Sequence, residues 1–283
     1  MKIAVTSASG KLGTSIIKNL IQLIGKDNIV GIARTPEKAK FLDVPIREGD
    51  YNNQKQFVNA LKGIDVLLLV SSMDAPEKRI IQHQNVIEAA KQNGVKKIVY
   101  TSIVGAETGN AFSPIVQTNR QTEKDVQNSG LEWVIGRNGI YIEPDLEYID
   151  TYVKEGKITN CAASGKCTYT SRDELGFAYA RMLTQDKHNN KIYNLVGEAI
   201  TQNQLASYIN QVYGTNLLFN SVTVEDYAKE RKAALGNFMG TVIAGIYEGI
   251  LNDAYNVSSD YATASGRPHK SILSIIKAFK NNS

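Results

Sequence analysis

The chain opens on Lys2-Ile-Ala-Val-Thr-Ser-Ala-Ser-Gly-Lys-Leu-Gly13, and this stretch decides the fold. The apolar run at residues 3–5 predicts a buried strand, and the apolar spacing after Gly10 predicts a helix. That spacing is carried by Leu12, Ile16, Ile17, Leu20 and Ile24. Glycines at 10 and 13 would let the backbone approach a pyrophosphate, whose charge the free N–H groups of a helix N-terminus bind. The stretch therefore predicts a dinucleotide-binding turn, with a purely structural strand–helix corner as the alternative.

Strand-like apolar runs continue the pattern along the chain, with helical spacing between them. They lie at residues 28–34, 45–50, 65–70, 97–102 and 131–137, and helices are predicted at 77–93 and 118–129. Six strands alternating with helices predict an α/β fold, a doubly wound parallel sheet with helices on both faces. Residues 1–140 are therefore predicted to form the dinucleotide-binding domain.

Beyond residue 140 the alternation gives way to turn-rich pieces, a further strand at 191–196, and several helices. These helices are predicted at residues 201–213, 224–235, 240–251 and 271–279, with Ser171 as the N-cap of another helix and Glu174 three residues later. Ligands in open sheets bind outside the carboxyl ends of the strands. We expect residues 141–283 to form a smaller mixed α/β lobe that closes this crevice and binds the substrate, interleaved with the first domain as one structural unit.

Composition narrows the classes of partner. The net charge of +4 comes from 32 basic and 28 acidic residues spread along the chain, which argues against nucleic acid. No signal-like segment opens the sequence and no segment is apolar enough to span a bilayer, so a cytoplasmic protein with no membrane partner is expected. Cys161 and Cys167 are interpreted as free thiols, and no metal site is predicted. A homodimer is left open.

The turn residues assigned to the cofactor are Thr6, Ser9, Gly10, Lys11, Leu12 and Gly13. Ser7 occupies the first glycine position of the usual fingerprint, which is tolerable if its backbone keeps a negative φ. Arg34 ends the second strand, 21 residues after Gly13, where a carboxylate would bind the ribose 2′-OH of NADH. An arginine there, with Lys38 one turn later, favours the 2′-phosphate of NADPH over NADH. The alternative is a solvent-exposed Arg34 on a loop.

Polar residues follow the other strands. Asp50 is a candidate for the adenine amino group, or else the N-cap of the next helix. Four hydroxyl residues at the ends of the fourth and fifth strands are expected near the ribose and nicotinamide, although such hydroxyls also serve as simple caps. They are Ser71, Ser72, Thr101 and Ser102.

Taken together, several motifs resemble the NmrA-like branch of atypical short-chain dehydrogenases/reductases, and in particular its members that reduce quinones and triphenylmethane dyes. The motifs are Thr6-x-x-x-Gly-x-Leu-Gly13, Arg34-x-Pro-x-Lys38, Gly49-Asp-Tyr51, residues 84–91, Gly94-Val-Lys96, Tyr100-Thr-Ser102, Thr122-Glu-Lys124 and Arg137-Asn-Gly-x-Tyr141. The resemblance implies a Rossmann-type domain that binds NADPH and a smaller C-terminal substrate lobe. It extends nearly to the C-terminus.

The chain departs from the family at the catalytic pair. Short-chain dehydrogenases typically use Tyr-x-x-x-Lys, and alignment on Thr122-Glu123 places Ile115 at the Tyr position and Asn119 at the Lys position. Ile103 falls at the position of the assisting Ser. None of these three residues can do the acid–base work of the usual triad.

The resemblance and the departure together favour an NADPH-dependent reductase of quinone-like or other conjugated small acceptors, in which the cofactor carries the chemistry. Asn138 and Tyr141 would line the acceptor pocket, and packing between lobes is the alternative for Tyr141. Gln82 and His83 are weaker pocket candidates, with a solvent-facing His as the commoner case. Two other functions are considered: a non-catalytic NADP-binding redox sensor acting through a protein partner, and a nucleotide-sugar epimerase.

Overall fold

The computed structural model describes residues 1–282, in which twelve strands form one large sheet and two small ones. The strands are β1 (Ile3–Val5), β2 (Ile29–Ala33), β3 (Ile46–Glu48), β4 (Val66–Val70), β5 (Lys97–Ile103), β6 (Glu132–Asn138), β7 (Ile140–Tyr141), β8 (Lys157–Asn160), β9 (Cys167–Thr170), β10 (Lys191–Leu195), β11 (Ala199–Ile200) and β12 (Leu218–Ser221). The large sheet has the order β3-β2-β1-β4-β5-β6-β10, and all its pairs are parallel. The strand order reverses between β1 and β4, which is where such sheets bind ligands.

Twelve α-helices of the described chain surround these sheets. They are α1 (Lys11–Ile24), α2 (Gln54–Ala60), α3 (Pro76–Gln92), α4 (Ser113–Gln127), α5 (Glu143–Glu147), α6 (Ile149–Glu155), α7 (Arg172–Thr184), α8 (Gln202–Tyr213), α9 (Val224–Leu235), α10 (Asn237–Leu251), α11 (Tyr261–Ser265) and α12 (Ile272–Asn282). Short 3₁₀ helices lie at Pro36–Leu42 and Asp186–His188. None of the helices in residues 1–282 has the length and apolarity needed to cross a bilayer.

The central strands are buried on both faces, as their near-continuous apolar sequences predict. Ile3 and Val5 pack with α1 and α7 on one face, whereas Ala4 faces the opposite layer with α2 and α3. The same alternation continues along β4, where Leu68 belongs to the first layer and Leu67 to the second. The predicted α/β fold with helices on both faces of a parallel sheet is confirmed.

The C-terminal half of the chain returns to the large sheet. Strand β10 pairs with β6 and becomes the seventh strand, and α7 packs closely on α1. The two helices approach so closely because α7 carries Gly176, where a Cβ would lie 2.4 Å from the Ser15 hydroxyl oxygen. The remaining segments build a small mixed sheet, β11-β9-β7, and a two-stranded pair, β12-β8.

Most predicted helix limits agree with the structure, and residues 224–235 agree at both ends. Helix α4 begins five residues before the predicted start at Thr118, because Ser113-Pro114 provides a proline in its first turn. Thr35-Pro36 opens a 3₁₀ helix in which Thr35 makes no side-chain cap. Ser171 caps α7 through the Glu174 amide at 3.2 Å. The Glu174 carboxylate, which in a capping box would accept the Ser171 amide, accepts hydrogen bonds from Arg267.

Candidate active site

The turn between β1 and α1 presents free backbone donors at the carboxyl edge of the sheet. The first intrahelical bond runs from the Thr14 amide to the Gly10 carbonyl, so the preceding amides of α1 have no helical partner. The first turn of α1 contains no acidic residue that would repel an anion. Gly13 is required here, since a Cβ would lie 2.3 Å from the Ser7 carbonyl oxygen. The turn has the geometry of a phosphate site.

Ser7 does not meet the expected condition of a negative φ, because its φ is +51°. The left-handed conformation lets the Gly10 amide bond the Ser7 carbonyl at 2.9 Å while the Ala8 amide bonds the Ile32 carbonyl at 3.0 Å. Both bonds draw the turn against β2 and α1. Ser7, at the first glycine position of the fingerprint, therefore keeps the left-handed backbone conformation that favours glycine. For a serine this conformation costs about 1 kcal/mol of conformational free energy.

Thr6 is fully buried and holds the sheet together beneath this turn. Its hydroxyl oxygen accepts the Val70 amide at 2.9 Å and lies 2.7 Å from the Tyr51 hydroxyl. Tyr51 in turn donates to the Val70 carbonyl at 2.6 Å, and burial raises the pKa of this phenol to about 12. The Thr6 side chain thus ties β1 to β4. Sequence reasoning assigned no role to Tyr51, although it lies in the Gly49-Asp-Tyr51 motif.

Arg34 and Lys38 are exposed at and just beyond the carboxyl end of β2, and neither side chain makes an ion pair or hydrogen bond within residues 1–282. Lys11 differs, because its ammonium group lies 2.6 Å from Glu147 of α5. Ser9 and Gly10 are exposed, and Leu12 is buried. The two unpaired cations beside the phosphate turn match the charge of a dinucleotide that carries a 2′-phosphate.

Asp50 is not the N-cap of α2. The cap is Asn53, whose side chain accepts the Gln56 amide at 3.2 Å, while Asp50 accepts the amide of Asn52 at 2.9 Å. The short turn between β3 and α2 places the cap three residues later than the sequence suggested. Binding of the adenine amino group by Asp50 stays a prediction.

Three of the four hydroxyls at the strand ends are engaged inside the protein. Thr101 accepts the Ser71 amide at 2.9 Å, and Ser102 donates to the Glu123 carboxylate at 2.6 Å. Ser72 donates to the side-chain oxygen of Gln82. These bonds fix the loops that follow β4 and β5. The Ser71 hydroxyl makes no bond within the described residues and is half-buried.

His83 is fully buried, so the expectation of a solvent-facing histidine is wrong, and Gln82 is buried as well. The His83 Nε2 atom accepts the Ser72 amide at 2.8 Å. Its proton must therefore lie on Nδ1, which is 2.8 Å from the Thr122 hydroxyl. Burial, together with the charge of Arg79, lowers the pKa of His83 to about 3, and the ring is neutral at physiological pH.

The two catalytic positions on α4 offer no proton donor to a bound acceptor. Ile115 is buried and apolar, and the amide oxygen of Asn119 accepts the Tyr100 hydroxyl at 2.6 Å. Asn119 also donates to the Ile115 carbonyl at 2.9 Å. Burial raises the pKa of Tyr100, so its phenol stays protonated and committed to Asn119.

A buried carboxylate, that of Glu123, anchors α4 to the ends of β5 and β6, and its only sequence signal is the Thr122-Glu-Lys124 motif. Arg137 binds Glu123 through two nitrogens, at 2.9 and 2.6 Å, and Arg120 binds it at 2.8 Å. With Ser102 these residues form the Glu123 cluster. The cluster fixes the strand ends from which the candidate pocket residues follow.

Asn138 and Tyr141, the predicted pocket pair, lie together, at the last residue of β6 and the last residue of β7. The Asn138 amide nitrogen is 3.1 Å from the Tyr141 hydroxyl, and its oxygen accepts the Tyr179 hydroxyl at 2.7 Å. The guanidinium carbon of Arg172 lies 5.1 Å from the centre of the Tyr141 ring. Arg172 also lies within 3.8 Å of Glu143 and 3.7 Å of Glu147. Tyr141 therefore packs against Arg172 of α7, and its contact with the acceptor stays a prediction.

Cys161 and Cys167 are buried free thiols, and burial raises the pKa of each. No group of three or more His, Cys, Asp or Glu side chains within residues 1–282 could hold a metal ion. The candidate site residues offer backbone amides, side-chain hydroxyls and carboxamides, and cationic side chains. These are the groups that bind an organic, anionic cofactor.

Comparison with known proteins places this geometry among nicotinamide-dependent reductases. The profile of a family described as NAD(P)H-binding matches residues 7–185. Quinone oxidoreductase 2 of Escherichia coli (strain K12) is 34% identical over 237 residues, covering 82% of this chain and 81% of that protein. An NmrA-like family domain-containing oxidoreductase of Aspergillus flavus is 31% identical over 236 residues, covering 80% and 76%.

Two solved structures agree with the fold over its whole length. A crystal structure of NADPH-dependent quinone oxidoreductase from Escherichia coli, complexed with NADPH, gives a TM-score of 0.91 at 30% identity and covers 99% of this chain and 100% of that chain. Citrobacter sp. triphenylmethane reductase complexed with NADP(H) also gives 0.91 at 30% identity, covering 98% and 99%.

Proposed function

This chain belongs to the NAD(P)H-binding family, and we propose that it is an NADPH-dependent reductase that transfers hydride to quinones or similar flat, conjugated acceptors. The predicted resemblance to NmrA-like oxidoreductases is confirmed by the matched relatives. One relative is named for reduction of quinones and one solved structure for triphenylmethane reduction, and the quinone oxidoreductase and triphenylmethane reductase structures contain NADPH and NADP(H), respectively. The sensor and epimerase alternatives are not favoured.

The residues of this chain fit NADPH. The first amides of α1 have no helical partner and would bind the pyrophosphate. Gly13, which has no side chain, lets the preceding turn pack closely against the start of the helix. Arg34 and Lys38 would bind the 2′-phosphate through charge-assisted hydrogen bonds. NADPH supplies the hydride when it is bound. Ser71, whose hydroxyl is uncommitted, is the strand-end residue available to the ribose.

The observation that carries the choice of acceptor is the commitment of Asn119 and Tyr100 to each other, beside an apolar Ile115. A simple ketone or aldehyde needs a proton at its oxygen as hydride arrives, and this chain places no acid there. A quinone accepts hydride to give a stabilised anion that takes its proton from water. The protein would then bind the acceptor, with Asn138 and Tyr141 as its proposed contacts, and orient it against the bound cofactor.

The test is NADPH oxidation by the purified chain across a panel of acceptors. We expect reduction of a neutral quinone such as menadione, and no measurable turnover of simple ketones or sugar nucleotides. Tight NADPH binding without turnover of any quinone or dye would contradict the proposal and support a sensor instead. The Asn138→Ala variant should raise the KM for the quinone while leaving the Kd for NADPH unchanged, which separates acceptor binding from cofactor binding.

A homodimer and a cytoplasmic location are proposed from the sequence alone. Sedimentation equilibrium of the purified protein tests the assembly, and cell fractionation tests the location.

A further inference from the structure

Arg79, in the first turn of α3, is a buried cation without a counter-ion. Its side chain is buried, with 4% of the residue exposed, and within residues 1–282 its Nη2 atom donates to the Asn119 amide oxygen at 3.3 Å, beside the neutral Tyr100 hydroxyl. The Nε atom is buried with no hydrogen-bond partner. No carboxylate of residues 1–282 lies within ion-pair distance of it. An arginine keeps its proton in proteins, so this charge is present at any physiological pH.

The groups around Arg79 do not neutralise it. His83, one turn along α3, is neutral because its Nε2 accepts the Ser72 amide. Tyr100 keeps its proton and is bonded to Asn119. The carboxylate of Glu123, in the same layer, is shared by Arg120 and Arg137. The layer between α3, α4 and β5 therefore holds an excess positive charge in a medium of low polarity, where charges act over longer distances than in water.

The position of Arg79 is at the end of the sheet where the chemistry occurs. Helix α3 begins six residues after β4 ends, so its first turn lies at the carboxyl edge of the sheet. Its hydrogen-bond partner is Asn119, which stands at the Lys position of the family's catalytic pair. Arg79 of α3 thus places a cation beside Asn119. In the family pattern the cation at this place is the catalytic Lys of α4.

We propose that Arg79 determines the charge preference of the acceptor site, favouring neutral or anionic quinones over cationic acceptors. This inference rests on the proposed reductase function. A neutral quinone that gains a hydride becomes a hydroquinone monoanion and then takes one proton from water, while NADPH is oxidised to NADP⁺. A cationic dye that gains a hydride becomes neutral. The Arg79 charge stabilises the first product as it forms, and it opposes binding of the second kind of substrate.

The expected size of the effect is large enough to measure. For an assumed separation of about 10 Å and an effective dielectric constant of about 20, a unit charge changes binding or rate by roughly tenfold. Arg79→Met should therefore lower the ratio of kcat/KM for menadione to kcat/KM for crystal violet by about tenfold or more. Arg79→Lys, which keeps the charge, should retain most of the wild-type ratio. Lys78→Met removes an exposed charge one residue away and should leave the ratio unchanged.

Binding without turnover provides a second measurement. With NADP⁺ in place of NADPH no hydride is available, so the Kd for crystal violet reports acceptor binding alone. We expect Arg79→Met to bind crystal violet about tenfold more tightly than the wild type does. If this variant does not fold, the wild-type protein still provides a test. It should reduce a sulfonated naphthoquinone at least as efficiently as menadione, and a trimethylammonium-substituted one about tenfold less efficiently.

The outcomes separate this inference from the proposed function. Failure of the wild type to oxidise NADPH with any acceptor overturns the proposed function itself. Turnover by the wild type with an unchanged ratio in Arg79→Met overturns the charge-preference role alone. Equal loss of both activities in Arg79→Met, with no change in the Kd for crystal violet, also overturns it, because a merely structural residue would behave in that way.

Discussion

Arg34 and Lys38 are two exposed cations that no carboxylate neutralises in the part of the chain that the structure describes. A charge-assisted hydrogen bond contributes about 1.5–3 kcal/mol, and each 1.4 kcal/mol corresponds to tenfold in Kd. We propose that these two side chains are the reason that NADPH is favoured over NADH. The neighbouring Lys11 is held by Glu147 and therefore contributes less charge to the same region.

Arg34→Glu should weaken NADPH binding by at least about tenfold and strengthen NADH binding, because a carboxylate repels the 2′-phosphate and accepts a hydrogen bond from the 2′-OH. Titration of the protein with each cofactor measures both Kd values. Lys18→Glu makes the same change of charge at an exposed position of α1 and serves as the control. An unchanged ratio of the two Kd values in Arg34→Glu would refute the role of Arg34.

At the scale of elements, the strand–turn–helix corner from β1 to α1 depends on close backbone contact. Ser7 holds a left-handed conformation so that the turn folds back on the helix, and Gly13 leaves room for its carbonyl. Gly10 is less constrained, since a Cβ there would lie 3.2 Å from the same oxygen. The two glycines therefore differ in how strictly the corner requires them.

Gly13→Ala should lower the free energy of unfolding by about 2 kcal/mol, as overpacking costs up to about 3 kcal/mol and alanine returns about 1 kcal/mol of helix propensity. It should also weaken NADPH binding, because the α1 amides must move. Urea denaturation and cofactor titration measure the two effects. Gly10→Ala is the matched control, with an expected loss of about 1 kcal/mol or less. Equal losses in the two variants would contradict this account of the corner.

At the scale of the molecule, the C-terminal segment is tied to the large sheet through one buried carboxylate. Arg267 donates to Glu174 of α7 at 2.7 and 2.8 Å, and the Lys270 amide donates at 3.1 Å. Burial alone would raise the pKa of Glu174. The bonds from Arg267 and the Lys270 amide, together with the charge of Arg267, outweigh burial and lower the pKa to about 2.

This pKa makes stability depend on acid in a defined direction. Because the folded-state pKa lies below the unfolded value of 4.5, the contribution of Glu174 is complete above pH 4.5 and is lost as the pH falls through about 2. Glu174→Gln should be less stable at neutral pH and should lose less stability between these two pH values. Unfolding at a series of pH values measures this, with Asp173→Asn as an exposed neighbouring control. The same acid dependence in Glu174→Gln and wild type would exclude this role.

Much of the fold could be predicted because it rests on local patterns. Apolar runs of five residues such as β4, repeated between helical segments, are typical of strands buried on both faces of a parallel sheet, and the spacing in α1 specifies its buried face. The parts of the fold that depend on contacts between residues far apart in the sequence could not be predicted in this way. The pairing of β10 with β6, and the packing of Gly176 against Ser15, join residues far apart in the sequence.

The candidate site divides in the same way. The position after predicted strands was sufficient to select Arg34, Lys38 and the glycines of the turn as cofactor-site candidates, because strand ends meet at one edge of a parallel sheet. Whether a hydroxyl faces a ligand or another side chain could not be identified. Thr6, Thr101 and Ser102 each found a partner inside the protein, and His83 proved buried rather than solvent-facing.

Residue type and short spacing were sufficient to predict the alternation of strands and helices and the glycine turn, because the chain carries these patterns locally. The family resemblance assigned Ile115 and Asn119 to the Tyr and Lys positions. The packed structure was needed to show that Tyr51 secures Thr6, that Glu123 is shared by two arginines, and that Arg79 is buried beside Asn119 without a counter-ion in residues 1–282. Burial and the absence of a counter-charge are properties of the packed surroundings, and they exist only when separate segments of the chain meet.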